Sequence, residues 1–325
     1  MVRPKHMQAL WLEGRRLRIR ENVPVPRPSA GEALVRVLKA GICGTDLELM
    51  RGYYPFTGIP GHEFVGKIVE APGAPARIGE RVVAEINVAC GRCRQCLSGA
   101  ERHCENRRVL GIKGLNGAFA AYVCLPLPNL LTLPRSISDR AAIFVEPLAA
   151  ALRVQEQVRI RPSDRVLVMG SGRLGQLIAR TLQLLGCDLT ATPRYRLQRQ
   201  LLEDHGIRCL ETDRIPPRSF EVVVEATGSP EGFFSALEAV APRGAVILKS
   251  TYKNTLQLDV SGWVVNEIRL IGSRCGPFGP ALELLDQGQI DPTDLIEAHY
   301  PLRNGREAFR HASRAGCLKV VLQMD

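Results

Sequence analysis

Four of the ten cysteines fall within fifteen positions, in "CGRCRQCLSGAERHC". They are Cys90, Cys93, Cys96 and Cys104, with gaps of two, two and seven residues. Clustered thiols of this kind form a disulfide knot, an iron–sulfur site, or a catalytic or structural zinc site. Bacterial ferredoxins use gaps of two, two and three and then proline. Here the last gap is longer and Glu105 follows Cys104, which argues against an iron–sulfur cluster. A disulfide framework belongs to small secreted domains. A chain of 325 residues buries its core without covalent staples. Four thiolates from one loop would close a tetrahedral zinc shell and leave no position for a substrate. The binding energy of such a site is folding energy for the loop.

A second set of donors lies closer to the N-terminus. "AGICGTDLE" (40–48) carries Cys43, and "GHEFVG" (61–66) carries His62 with Glu63 beside it. Thiolate and imidazole are both good zinc ligands, and a catalytic zinc needs about three protein ligands and one open position. Glu63 and Glu146 are the carboxylates placed to complete that shell.

A third feature serves an anion. "GSGRLG" (170–175) matches G-x-G-x-x-G between an apolar strand, "RVLVMG", and an amphipathic helix. In that context Gly170 makes the tight turn, Gly172 admits a pyrophosphate to the backbone, and Gly175 lets helix and strand pack closely. The helix N-terminus offers N–H groups and the positive end of its dipole. Ser171, Arg173 and Leu174 fill the turn. Thr192, at the end of the next strand, and Thr227, in "VVVEATG", complete the expected nucleotide contacts. An NAD binder usually carries an acid about 20 residues past the glycines. "TATPRYR" (190–196) has none there and offers Arg194 and Arg196. An arginine accepts a 2′-phosphate, so NADP(H) is expected over NAD(H).

These residues need elements to hold them. "ALVRVLKAGI" (33–42), "EFVGKIVEA" (63–71) and "GERVVAEI" (79–86) read as short strands punctuated by Gly and Pro. The character changes near Glu146, where "EPLAAALRVQEQVRI" reads as a helix with proline just inside its start. Beyond it, strands are expected at 165–170, 187–192, 220–228, 244–251 and 268–273, with helices between them. Alternation of this kind predicts a parallel, doubly wound sheet. "KVVLQ" (319–323) returns to β character and is expected to rejoin the first domain. Tyr53, Tyr54 and Phe56 stand between the two metal motifs, either in a substrate pocket or in the core.

Composition bounds the partners. Hydrophobic residues make up 45% and charged residues 23%, ordinary for a globular chain of two domains. The net charge is +10, but the basic residues are scattered and aromatics are only 5%, so nucleic acid is not an expected partner. No apolar run approaches a membrane span, and the N-terminus lacks a signal-peptide core, so the expected compartment is the cytoplasm.

Taken in order, "GICGTD", "PGHEFVG", "GERV", the four-cysteine lobe, "VEPLAAAL", "GSGRLG" and "VVVEATG" resemble the zinc-containing medium-chain dehydrogenase/reductase family. These are the alcohol and polyol dehydrogenases. The resemblance covers nearly the whole chain. It implies an α/β fold with a GroES-like, mainly β catalytic domain at 1–147, to which 287–325 returns. A doubly wound Rossmann domain is implied at 148–286. It implies one catalytic zinc at Cys43 and His62, with Glu63 as ligand or near neighbour, and Glu146 bound directly or through water. It implies one structural zinc at Cys90, Cys93, Cys96 and Cys104. Thr45 matches the hydroxyl that receives the alcohol proton, and Asp46 the acid that supports the site. Glu48 stands where many alcohol dehydrogenases have a relay histidine, so the proton is expected to leave through Glu48 or straight to solvent. The implied substrate is a small alcohol, polyol or carbonyl compound, and the implied assembly a homodimer or homotetramer.

Overall fold

The computed structural model describes residues 3–251 and 256–324. The chain divides into two compact units, Met1–Glu146 with Leu282–Asp325, and Pro147–Ala281.

In the first unit a seven-stranded sheet is built around Glu32–Gly41. That strand pairs antiparallel with Glu63–Glu70 and with Tyr122–Pro126. It also pairs antiparallel with Lys319–Gln323, so the C-terminal segment does rejoin the first unit. Ala33, Leu34, Val35, Val37 and Ala40 of this central strand are buried. A separate hairpin joins His6–Glu13 to Arg16–Pro24, and a three-stranded sheet flanks the cysteine lobe.

The central strand ends at Gly41, and this position explains the start of "GICGTD". Gly41 faces Glu63 on one neighbouring strand and Val321 on the other. A Cβ here would stand 2.7 Å from Glu63 Oε2 and 3.1 Å from Lys319 Cδ. The missing side chain is therefore the space in which Glu63 and Lys319 meet.

The second unit is a six-stranded, all-parallel sheet. Its strands, counted in chain order, lie 3-2-1-4-5-6. That is the doubly wound dinucleotide-binding order. Helices cover both faces of such a sheet, so its strands read as continuous apolar runs. Val166, Leu167, Val168 and Met169 are all buried, as are Val222, Val223 and Val224. Leu167, Met169, Phe220, Val223 and Val246 share one cluster with Ala236 and Ala239 of the helix Pro230–Ala239. Full burial of each large apolar side chain is worth about 1.5–3 kcal/mol.

The expected strands form with shifted ends. The strand expected at 244–251 begins at Val240, and the sheet gains a two-residue edge strand, Arg208–Cys209, that sequence reading missed. The helix after the glycine turn runs from Arg173 to Gln183.

Gly41→Ala will force Glu63 and Lys319 apart in a packed interior. The expected cost is about 1–3 kcal/mol, read as a lower denaturant midpoint. An unchanged midpoint would show that the space at Gly41 is not needed.

Candidate active site

Cys43 ends the approach from the central strand and caps the short helix Gly44–Met50. Asp46 is the third residue of that helix. Its Oδ2 accepts a hydrogen bond from the Cys43 N–H at 2.8 Å. Its Oδ1 lies 3.5 Å from His62 Nδ1, and neither of those two buried atoms has a hydrogen-bond partner among the described residues. One carboxylate thus fixes the backbone of the thiol and faces the ring of the imidazole.

Donor atoms of Cys43, His62 and Glu63 lie within 4.8 Å of one another. His62 and Glu63 are buried, and Cys43 is half-buried. Burial opposes charge on His62, but the Asp46 carboxylate and the Cys43 thiol outweigh it and raise the imidazole pKa well above its ordinary value. The site therefore favours positive charge on the imidazole. A divalent cation fits the same place, since thiolate, imidazole and carboxylate are its usual ligands and the Asp46 carboxylate faces the ring from the other side.

Glu63 also ion-pairs with Lys319, and both are buried. The ammonium lies 5.5 Å from the centre of the Phe144 ring. Sequence reading named Glu63 but missed Lys319. The available signal was a single lysine inside the otherwise apolar "CLKVVL".

The other expected residues fall in different places. The Thr45 hydroxyl is 3.8 Å from Cys43 Sγ. Glu48 is bound to Arg51 at 2.6 Å on a side chain 41% exposed. Glu146, in the first turn of the helix Val145–Gln157, is outside the group of converging donors. Tyr53 is exposed and Tyr54 and Phe56 are half-buried, so none of the three is a core residue.

The cysteine lobe brings Cys90, Cys93, Cys96 and Cys104 to within 4.8 Å of one another, without disulfides. Cys93 Sγ is 3.4 Å from Cys96 Sγ and 3.8 Å from Cys104 Sγ, and Cys90 Sγ is 4.0 Å from Cys96 Sγ. Thiolates about 2.3 Å from a tetrahedral zinc stand roughly 3.8 Å apart, so the sulfur cage fits that ion. The Arg92 N–H lowers the Cys90 thiol to about 6, and the N–H groups of Cys96 and Glu105 lower Cys93. Burial and the neighbouring thiols push Cys96 up to about 12.

In the second unit, Gly170 has φ +86°, and a Cβ on it would lie 2.6 Å from the Ala226 carbonyl oxygen. A Cβ on Gly175 would collide with the Gly170 carbonyl. Gly172, which caps the helix Arg173–Gln183, has no atom within 4 Å of a built Cβ. Two glycines thus serve the protein's own packing, and the third leaves the helix N-terminus uncrowded. The buried Ser171 hydroxyl has no hydrogen-bond partner among the described residues. Leu174 lies in the first turn of that helix, and Thr192 Oγ1 accepts from the Gly170 N–H at 3.4 Å. Arg194 and Arg196 are exposed after the second strand, with Arg194 over the Tyr195 ring. Glu225, fully buried at the end of the fourth strand, accepts from the Thr227 N–H at 2.7 Å and from its hydroxyl at 2.5 Å. Sequence reading named Thr227 but missed this carboxylate that positions it.

The second unit thus presents a dinucleotide-type strand order and glycine turn, and the mainly β unit a metal-type donor set. Comparison with known proteins adds to this. Residues 29–135 match the alcohol dehydrogenase GroES-like domain. The chain is 28% identical to the starvation-sensing protein RspB of Escherichia coli over 319 residues, 92% of this chain and 94% of that one. It is 28% identical to the sorbitol dehydrogenase of Bacillus subtilis over 347 residues, 98% of each. Among solved structures it resembles a zinc-binding dehydrogenase from Sinorhizobium meliloti bound to NADP. There the TM-score is 0.90 and the identity 28%, with 98% of this chain and 99% of that one covered. The structure of E. coli RspB with NADH superposes with a TM-score of 0.91 at 26% identity, covering 98% of this chain and 100% of the other. Over nearly its whole length the chain is thus similar to sorbitol and L-threonine dehydrogenases and to a zinc-binding dehydrogenase, and residues 29–135 carry the alcohol dehydrogenase GroES-like match.

Lys319→Met will leave Glu63 buried and uncompensated, at an expected cost of about 3–5 kcal/mol. Adding Glu63→Gln should recover part of it, because the residues act as a unit. Denaturant midpoints of the two single variants and the double variant check this. Strictly additive losses would mean that the pair is not coupled.

Proposed function

We propose that the protein is a zinc-dependent NAD(P)-linked oxidoreductase of CH–OH groups, acting on a small alcohol or polyol and on the corresponding carbonyl compound. The observation that carries this reading is the convergence of Cys43, His62 and Glu63 with Asp46 behind the imidazole. When bound, zinc supplies Lewis acidity toward the substrate oxygen, and the nicotinamide accepts or returns the hydride.

The chain's own residues do the rest. Cys43 and His62 would hold the ion, with Glu63 as a ligand or as the buried anion beside it. Glu146 is a further carboxylate candidate, reaching the ion directly or through water. Asp46 holds the imidazole in one orientation, which raises its basicity as a ligand. Thr45 takes the hydroxyl proton of the substrate, and that proton leaves through Glu48 or straight to solvent. Gly172 would admit the pyrophosphate at the N-terminus of the helix Arg173–Gln183, in the turn that Gly170 and Gly175 shape, with Ser171, Arg173 and Leu174 around it. Thr192 and Thr227 flank the bound nucleotide. Arg194 and Arg196 favour NADP(H), since they supply positive charge where an NAD-specific site has an acid.

Cys90, Cys93, Cys96 and Cys104 would hold a second zinc with a closed shell and no catalytic role. The protein is expected to work in the cytoplasm as a homodimer or homotetramer. Among the described residues no helix is long and apolar enough to cross a membrane.

The test is a hydride-transfer assay over alcohols, polyols and aldehydes with each nucleotide, together with metal analysis. Turnover is expected with a lower Michaelis constant for the NADP couple. Cys43→Ser should remove one zinc and nearly all turnover while leaving the other zinc in place. Flat absorbance across the panel, or zinc and turnover both intact in Cys43→Ser, would overturn the assignment.

A further inference from the structure

Cysteine, histidine and carboxylate donors converge to within 4.8 Å at three places among the described residues. Two are the Cys43 site and the cysteine lobe. The third is formed by Glu297, His311 and Cys317, and neither the proposed reaction nor the lobe uses it.

Three different elements deliver these side chains. Glu297 lies in the strand Ile296–Pro301, which pairs with Lys319–Gln323. The ladder skips it: Ile296 pairs with Lys319 and Ala298 with Val320, so Glu297 is the extra residue of a bulge. A bulge of this kind re-aims a side chain. His311 lies in the last turn of the helix Gly305–Ala312. After that helix the chain makes two successive turns, Arg314 N–H to the His311 carbonyl at 3.0 Å and Cys317 N–H to the Arg314 carbonyl at 3.2 Å. Gly316, at φ +79°, completes the reversal that returns Cys317 to His311.

The polar neighbours are arranged as around a ligand shell. His311 Nδ1 is held by the Tyr300 hydroxyl at 3.1 Å, which leaves Nε2 facing the cluster. Glu297 Oε1 accepts from the Leu318 N–H at 2.5 Å, and Oε2 lies 3.6 Å from His311 Nε2. That distance is long for a hydrogen bond. It matches the roughly 3.3–3.7 Å between ligands about 2.0–2.3 Å from a tetrahedral ion. Cys317 Sγ, buried, contacts the Leu318 carbonyl at 3.9 Å and supplies the soft donor. A hydrogen bond that fixes the second ring nitrogen is the usual companion of a metal-binding histidine.

We propose that Glu297 Oε2, His311 Nε2 and Cys317 Sγ form a third site for a thiophilic divalent cation of the zinc class, with water in the fourth position. The side chains of His311 and Glu297 are 18% and 24% exposed, so ions can enter and exchange. The ion would clamp the turn that leads into Lys319–Gln323, two residues before the lysine that pairs with Glu63. Its role is to tie that segment down, separate from the chemistry at Cys43.

The test titrates zinc into the full-length protein, freed of loosely held metal by gel filtration, against a chromophoric chelator. The wild type should take one equivalent more than Cys317→Ser and more than His311→Gln. Added zinc should slow alkylation of Cys317 at least tenfold in the wild type and not in His311→Gln, and should raise the Tm of the wild type by more than that of His311→Gln. His311→Gln keeps the bulk of the side chain, so it reports on the site even where Cys317→Ser disturbs packing. Equal uptake by all three proteins, or alkylation of Cys317 unaffected by zinc, would overturn the proposal. The readout is a difference at this cluster alone, so it stands whatever the Cys43 site does.

Discussion

The candidate active site depends on how one buried carboxylate is shared. Asp46 gives one oxygen to the Cys43 N–H and turns the other to His62 Nδ1. The first contact starts a helix and fixes the thiol at its cap. The second selects the face of the imidazole that remains for a ligand. Neither contact works without the other, because Cys43 and His62 arrive from opposite ends of a loop that begins after the central strand. A neutral residue at 46 could cap the helix but would place no negative charge behind the imidazole.

The surrounding sheet exists in a form that permits this. Gly41 leaves room on the central strand, and Glu63 fills that room from one side while Lys319 fills it from the other. Burying such a pair is costly unless its geometry is good. Here the two strands that flank the central one and the Phe144 ring provide the geometry. The C-terminal strand, paired on both sides, brings the cation that balances Glu63 beside the metal-type cluster. The second unit follows the same logic with backbone in place of charge. Gly170 and Gly175 are small because carbonyl oxygens crowd them, whereas Gly172 is small where the protein places nothing.

Much of this was legible in the sequence, for identifiable reasons. Cys43, His62 and the four lobe cysteines have few structural roles that demand their spacing. The G-x-G-x-x-G turn sits between an apolar strand and an amphipathic helix, so its context could be read directly. Strand alternating with helix gave the parallel sheet. What could not be read was pairing across long separations. Lys319 meets Glu63 only because two strands flank Gly41, and no local pattern encodes that meeting. Glu225 reads as one more strand residue until its carboxylate is seen to hold Thr227. Arg208–Cys209 is too short to show a period. Glu297 faces His311 only because a bulge shifts the register. Burial likewise decided Tyr53, Tyr54 and Phe56, whose types suit either a pocket or a core.

The central claim is that Asp46 makes Cys43 and His62 into a metal site, and Asp46→Asn tests it most directly. Asparagine keeps the volume and can still accept from the Cys43 N–H, so the helix cap survives and only the charge facing His62 is lost. The measurement is zinc affinity at the Cys43 site, with the cysteine lobe as internal reference. A loss of a neighbouring partner of this kind typically costs about 10–100-fold in metal affinity or activity. The account predicts such a loss at the Cys43 site, with the zinc held by the lobe and the denaturant midpoint unchanged. Wild-type zinc affinity in Asp46→Asn would contradict it.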